Sequence, residues 1–330
     1  MPLNDALSKA FINQYQGGFP ISKRPYKEVA EQLGISEEQL ILLISRLLDE
    51  GWLSRFGPLY DAQKMGGGLT LAAISVPKER FDEVTAIVNS FAEVAHNYRR
   101  EHRLNMWFVV ATEKSEGVER ILSAIEGKTG LKVFNCPKQQ EFYIGLQLFL
   151  DDEGSVDTVA LSEDGSKQVS EGSKSIAELD RRIIQATQSG LPLVSKPYQY
   201  IADKLSESQG SVIQRMKLMK QAGKLRRIGA VPNHYKLGLC GNGMTVWNIP
   251  EKKVAEVGNK IASMDFVSHC YQRPRHLPDW PYNVFAMVHG ATKEQAFEKV
   301  KLLEAELAPD VFEHETLFSS AILKKTGLRL

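Results

Sequence analysis

The chain is written twice, and this duplication limits its possible folds more than any other feature. Lys196-Pro197-Tyr198 repeats Arg24-Pro25-Tyr26, and Ala202 and Leu205 repeat Ala30 and Leu33. Gly223, Leu225, Arg227 and Gly229 repeat Gly51, Leu53, Arg55 and Gly57, and Met244–Ile249 before Pro250 repeats the apolar run before Pro77. A repeat of this length is a folding unit, so the chain is a duplicated protomer or two subunits joined in one polypeptide. The repeat also includes the segment least suited to a core. His96, Tyr98 and Arg100 match His269, Tyr271 and Arg273 at one constant offset, and Asn105 matches Asn283 after a five-residue insertion.

Within the first copy, Leu3, Leu7, Phe11, Ile12 and Tyr15 have helical spacing, and Gly17-Gly18 stops that helix. Pro25 suits a first helical position, and Gly34 ends the short helix that follows. Ser36 and Gln39 form a capping box for a third helix with Leu40, Leu43, Ile44, Leu47 and Leu48 on its apolar face and Gly51 as its C-terminal cap. Trp52–Phe56 resembles the strand of a small wing, so residues 1–64 read as a winged helix-turn-helix. From residue 65 to 150 the pattern becomes βαββαβ: strands at Leu69–Val76, Glu93–Arg100 and Asn105–Ala111, extended segments around Val133 and Phe142–Phe149, and helices led by Pro77 and Val118. That is the order of a ferredoxin-like domain. Residues 151–175 are rich in Asp, Glu, Ser and Gly and read as a flexible acidic linker. The second winged helix-turn-helix then spans 176–238 and the second ferredoxin-like domain 239–330. The fold class is α+β, two copies of a helical unit followed by a βαββαβ unit.

Composition narrows the function class. No apolar run approaches a membrane span, and the Met-Pro-Leu-Asn-Asp start is no signal peptide. Three cysteines without a Cys-x-x-Cys spacing argue for a reducing, cytoplasmic setting and against a structural zinc site. Cys240 and Cys270 read as buried thiols. The net charge of +1 is unevenly spread: residues 178–330 carry 22 Lys and Arg against 15 Asp and Glu. That surplus favours an anionic partner, nucleic acid or a polycarboxylate.

A winged helix followed by a βαββαβ domain resembles the Lrp/AsnC family, whose members are usually DNA-binding regulators that dimerise through the second domain. A narrower resemblance covers nearly the whole chain. His96-Asn-Tyr-Arg-Arg-Glu-His102, with Asn105-x-Trp107-Phe108, resembles one subunit type of the siroheme decarboxylases. Gly229-Ala-Val-Pro-Asn-His-Tyr-Lys-Leu-Gly238, His269-Cys-Tyr-x-Arg-Pro-Arg275 and Trp280-Pro-Tyr-Asn-x-Phe-x-Met-Val-His-Gly290 resemble the other. Their order matches the fused form associated with haem d1 biosynthesis. The resemblance implies loss of the acetate carboxyls at C12 and C18 of sirohaem, giving 12,18-didecarboxysirohaem. It implies no further cofactor, since the substrate brings its own iron, and it allows a homodimer or related decarboxylase subunits as partners.

Such chemistry needs an electron sink, a proton for the carbon that loses carbon dioxide, and forks for the remaining carboxylates. Histidine is the natural proton donor and arginine the natural fork. The two motif strands supply His96, His102, His269 and His276 as candidate catalytic groups. Arg99, Arg100, Arg273, Arg275, Trp280, Tyr282 and His234 are candidate substrate contacts. His-x-Tyr-x-Arg alternates, which places all three side chains on one strand face. His102 and His276 lie where the copies diverge, so they are expected to be the reactive pair. His234 reads equally as a turn residue, His289 equally as core or site, and His314 as a packed or solvated side chain. Gly66–Gly68 reads as a turn rather than a phosphate loop.

The helix-turn-helix units read differently from each other. The helix after Ser36 carries Arg46 against Glu37, Glu38, Asp49 and Glu50, which would repel DNA; Gln214, Arg215, Lys217, Lys220 and Lys224 of the second would attract it. The alternative to the enzyme is therefore an Lrp-like regulator that senses a small acid or tetrapyrrole. On balance the sequence disfavours DNA and membrane as partners.

Overall fold

The computed structural model describes residues 3, 5–145, 147–151, 156–159 and 176–325. The first copy runs α1 (Ala6–Tyr15), α2 (Pro25–Gln32), α3 (Glu37–Asp49), β1 (Leu53–Tyr60), β2 (Gly68–Ile74), α4 (Phe81–Ser90), β3 (Val94–Arg100), β4 (Met106–Thr112), α5 (Gly117–Thr129) and β5 (Val133–Pro137). Short strands β6 (Gln140–Ile144), β7 (Gln147–Leu150) and β8 (Val156–Val159) follow. The second copy runs α6 (Glu178–Thr187), α7 (Pro197–Leu205), α8 (Gln209–Gln221), β9 (Leu225–Pro232), β10 (Gly241–Asn248), α9 (Val254–Ala262), β11 (Val267–Gln272), β12 (Val284–Gly290), α10 (Lys293–Leu307) and β13 (Glu313–Lys325).

Local signals account for the helix ends. Ser36 Oγ accepts from Gln39 N at 3.1 Å while Gln39 Oε1 accepts from Ser36 N at 2.8 Å, closing the capping box of α3. Gly51 then takes φ +73°, the left-handed conformation that ends such a helix at little cost.

The copies are interleaved rather than strung along the chain. The wing expected from Trp52–Phe56 finds no partner in its own unit; β1 pairs antiparallel with β9 of the other copy, with Gly57 opposite Gly229. A Cβ on Gly57 would lie 2.4 Å from the Leu191 nitrogen, and one on Gly229 would lie 2.3 Å from the Tyr15 carbonyl, so backbone contact explains why this glycine is repeated. One apolar core joins both helical units, with Phe11, Tyr26, Ile44 and Phe56 from the first and Ile183, Tyr198, Val212 and Met216 from the second.

The ferredoxin-like units show the same exchange. Each has the strand order expected of βαββαβ, β5-β2-β4-β3 in the first and β13-β10-β12-β11 in the second. Their last strands do not stay home. β13 is 13 residues long and pairs with both β10 and β3, and β6 leaves the first unit to pair with β11. The result is one nine-stranded sheet, β5-β2-β4-β3-β13-β10-β12-β11-β6. Its two end strands are consecutive in the chain, separated by Lys138 and Gln139, so the sheet must curl until its ends are close. Helices α4 and α5 cover one unit's outer face and α9 and α10 the other's. The inner faces share a core containing Trp107, Phe134, Trp280, Phe285 and Leu317. The Trp107 and Trp280 rings meet at 5.2 Å between centroids.

The segment after β6 begins with structure. β7 pairs with β8, and Asn13 of α1 and Gln16 just beyond it bind the backbone of Leu150 and Leu148. The rest of the stretch read as an acidic linker, 152–155 and 160–175, lies outside the described residues. Cys240 is exposed rather than buried, because it lies beyond the turn that leads into β10; Cys136 and Cys270 are buried. No helix among the described residues is long and apolar enough to cross a membrane.

Candidate active site

The inner faces enclose a cavity of about 310 Å³. Strand β3 sends His96, Tyr98 and Arg100 into it, and β11 sends His269, Tyr271 and Arg273. The alternating pattern thus does what strand geometry requires, and the curled sheet brings two distant segments face to face. Trp107 and Val109 of β4, Asn242 and Met244 of β10, Phe285, Met287 and His289 of β12, and the turn residues His234 and Tyr235 complete most of the wall.

Both motif strands are bulged just before their histidine. Val94 faces Val110 and His96 faces Val109, leaving Ala95 as an extra residue; Val267 faces Val288 and His269 faces Met287, leaving Ser268 extra. A bulge re-aims the side chains beside it. Beyond the motif, the repeated asparagines bind the backbone at a strand end. Asn105 Oδ1 accepts from Val76 N and its Nδ2 donates to Val76 O, at 2.9 and 2.8 Å; Asn283 does the same with Ile249 at 2.9 and 3.0 Å. These residues are repeated because they hold the strand that precedes each proline.

Among the described residues no carboxylate lines the cavity, while two guanidinium groups do. Burial pulls Arg100 down to about 10, and it also lowers Arg273. Burial and the nearby Lys325 charge bring His96 to about 4 and His234 to about 4. Burial, with Arg226 and Arg273, brings His269 to about 4. His289 falls to about 3, chiefly through burial and then through His269, His234 and Lys299. His96 Nδ1, Arg100 Nε and Arg273 Nε are buried without a hydrogen-bond partner. Unmatched buried donors beside neutral imidazoles make this a place for an anion: each bound carboxylate would satisfy a donor and favour a charged ring.

The other expected site residues lie elsewhere. His102, expected in the reactive pair, is outside the cavity. Its Nδ1 accepts from Leu104 N at 2.9 Å and its Nε2 meets Glu315 at 2.8 Å. His276 also lies outside, with Nε2 2.7 Å from the Asn135 carbonyl and its ring edge-on to Phe134. The divergence of the copies here reflects different loop closures on the core. Arg99 faces outward and lies over the Phe81 ring at 4.6 Å, since it follows Tyr98 on the opposite strand face. Arg275 is held by the Pro281 carbonyl, Asn248 and Glu251. Trp280 is fully buried and Tyr282 nearly so, both in the inner core beneath the cavity rather than on its wall. His314 stacks on Trp247 and is bonded to Glu304, as a packed side chain.

Sequence reasoning left out Asn242, Tyr235 and Ser268 and left His289 evenly between core and site. The signal was available in the repeat: β-pairing sets Asn242–His289 where the first copy has Leu69–Ala111, and Ser268 where it has Ala95. Among the described residues no cluster of His, Cys, Asp and Glu is arranged to hold a metal ion.

Comparison with known proteins agrees with this duplicated plan. The profile of the AsnC-like ligand binding domain matches residues 64–142 and 236–324, and that of the siroheme decarboxylase NirDL-like HTH domain matches 8–53 and 180–226. The siroheme decarboxylase NirDL subunit of Paracoccus denitrificans is 34% identical over 98% of this chain and 97% of its own length. The siroheme decarboxylase NirH subunit of Pseudomonas aeruginosa is 49% identical over 48% of this chain and 92% of its own length. The crystal structure of the siroheme decarboxylase NirDL in complex with an iron-uroporphyrin III analogue superposes with a TM-score of 0.69, at 28% identity, over 98% of this chain and 92% of that one. Matched twice by both domain profiles and along its full length by a NirDL relative, this chain belongs to the siroheme decarboxylase family.

Proposed function

We propose that the cavity inside the curled sheet decarboxylates sirohaem, removing the acetate carboxyls at C12 and C18. The observation that carries this reading is the convergence of two His-x-Tyr-x-Arg strands on one cavity with unpartnered donors and, among the described residues, no carboxylate on its wall. A polycarboxylate bound there has Arg100 and Arg273 as forks. His96 and His269 stand in reach of it as proton donors, replacing His102 and His276 in that role on grounds of position. The names of the relatives and the iron-uroporphyrin complex of the solved structure support the substrate class.

Loss of carbon dioxide leaves an electron pair that the conjugated macrocycle accepts once the adjoining pyrrole is protonated. A second proton then makes the methyl group while the pyrrole gives up the first, so each carbon dioxide lost consumes one proton. The macrocycle is thus its own electron sink, and the reading calls for no separate cofactor. It places the reaction in the cytoplasm, in keeping with three free thiols. It allows the chain to act with a second copy or with related decarboxylase subunits, as the subunit names of the relatives support. A regulator has less in its favour, because Arg215 of α8 is bound through two bonds of 2.6 Å to Asp180 and is not free to read DNA.

The test is anaerobic incubation of the pure protein with sirohaem, followed by mass spectrometry. Two successive losses of carbon dioxide are expected. Unchanged substrate, with the protein folded and sirohaem bound, would sink the reading.

A further inference from the structure

The two site histidines correspond by duplication, yet their surroundings differ at one atom. His96 Nδ1 has no partner, and the residue before it is Ala95. His269 Nδ1 lies 2.8 Å from the Oγ of Ser268, and the same Oγ lies 2.6 Å from His289 Nε2. His289 Nδ1 in turn lies 2.6 Å from Asn242 Oδ1. Neighbours on a regular strand point to opposite faces, so Ser268 and His269 can bond side chain to side chain only because Ser268 is the bulged residue.

This chain of bonds has one consistent assignment of hydrogens. Asn242 Nδ2 donates to the Leu239 carbonyl at 2.9 Å, which fixes the amide and leaves Oδ1 as the acceptor facing His289. His289 Nδ1 must then carry a proton. Burial among His269, His234 and Lys299 keeps the ring neutral, so its Nε2 is a bare lone pair that accepts from the Ser268 hydroxyl. With its hydrogen directed to His289, Ser268 Oγ can only accept from His269, whose Nδ1 is therefore protonated. That leaves Nε2 as the basic atom of the His269 ring.

We propose that Ser268, His289 and Asn242 are positioning residues that hold His269 in its Nδ1–H tautomer, so that Nε2 alone exchanges a proton with the bound substrate, while His96 has no such relay. No bond is made or broken within the relay; the three residues set which nitrogen of His269 is available. When Nε2 takes up a proton, the Ser268 oxygen remains as acceptor for Nδ1–H, and the imidazolium keeps its orientation. The copies thereby become chemically unequal, which suits a substrate whose two acetates occupy different surroundings. The proton-exchange role rests on the reading above; the tautomer does not.

Each relay residue has a replacement already tolerated in the first copy: Ala95 corresponds to Ser268, Ala111 to His289 and Leu69 to Asn242. The test combines long-range proton–nitrogen NMR of the unliganded protein with steady-state turnover of sirohaem. Substitution of each of the seven histidines in turn assigns the ring signals. His269 is expected as a single Nδ1–H tautomer. Ser268→Ala should give a mixture or the Nε2–H form and reduce kcat by about 10–100-fold, the range lost when the partner orienting a metal-bound histidine is removed, with little change in KM. Ser268→Thr should restore both. A wild-type His269 in the Nε2–H form, an unchanged tautomer in Ser268→Ala, or a changed tautomer with unchanged kcat would overturn the proposal. Absence of turnover in the wild type, with the tautomer as expected, would instead overturn the sirohaem reading.

Discussion

Arg100, on β3 of the first copy, donates Nη1 to the carbonyl of Leu317, on β13 of the second, at 2.6 Å. Arg273 repeats the arrangement with the carbonyl of Cys136 on β5. Leu317 faces Met244 and Cys136 faces Leu71, so the two anchors occupy equivalent positions. Each arginine is therefore aimed by the fourth βαββαβ strand of the other copy. Its Nε is buried without a hydrogen-bond partner.

Removing either fork should weaken substrate binding. Arg100→Ala and Arg273→Ala should each cost about 1.5–3 kcal/mol of affinity, the usual range for a hydrogen bond to a charged group. Lysine in either place should rescue only part, since an ammonium cannot hold the carbonyl anchor and fork a carboxylate together. Equilibrium titration with sirohaem under anaerobic conditions measures this, and unchanged affinity in both alanine variants would exclude the clamp.

The histidines divide by position. His96→Ala and His269→Ala should bind sirohaem and turn over about 10²–10⁴-fold more slowly, the span of general acid catalysis. If each serves one acetate, a monodecarboxylated product should accumulate in one variant. His102→Ala should lose contacts to Leu104 and Glu315 and lower thermal stability while leaving turnover per folded molecule largely intact. Mass-resolved time courses beside thermal melts separate the two classes of effect; the reverse pattern would return His102 to the catalytic role.

Acid should destabilise the empty protein in a defined window. His96, His234 and His269 drop from an ordinary 6.5 to about 4 on folding, and His289 to about 3. Between those values the unfolded chain binds more protons than the folded one, so stability is full above about 6.5 and falls as pH approaches 4. A bound polycarboxylate raises these pKa values, so sirohaem binding should take up protons and tighten as pH falls. Calorimetry in buffers of different ionisation enthalpy reads the uptake. No uptake at any pH would mean that these rings do not face the ligand's charges.

The helix-turn-helix surface should matter little to the chemistry. Lys217 and Lys220 are exposed on α8 and away from the cavity wall. Lys217→Glu with Lys220→Glu should leave both decarboxylation rates nearly unchanged. A large loss with the fold intact would show that this face contributes to the site.

The sequence by itself determined whatever depends on neighbours in the chain. Capping at Ser36, the stop at Gly51, the βαββαβ order and the shared face of His96, Tyr98 and Arg100 follow from local geometry with period 3.6 or 2. The repeat also identified Asn105 and Asn283 before their partners were visible. Tertiary structure alone decided which copy each strand pairs with. Nothing local distinguishes β1 pairing with its own wing from pairing with β9, or β13 stopping at β10 from continuing onto β3, because ladder bonds are alike in any sheet. That exchange made one cavity from two motifs, put Arg100 on Leu317 and Arg273 on Cys136, and turned His102 and His276 away. The relay through Ser268 was equally hidden. It needs a bulge, and a bulge is a property of how two strands register, which neither strand's sequence specifies alone.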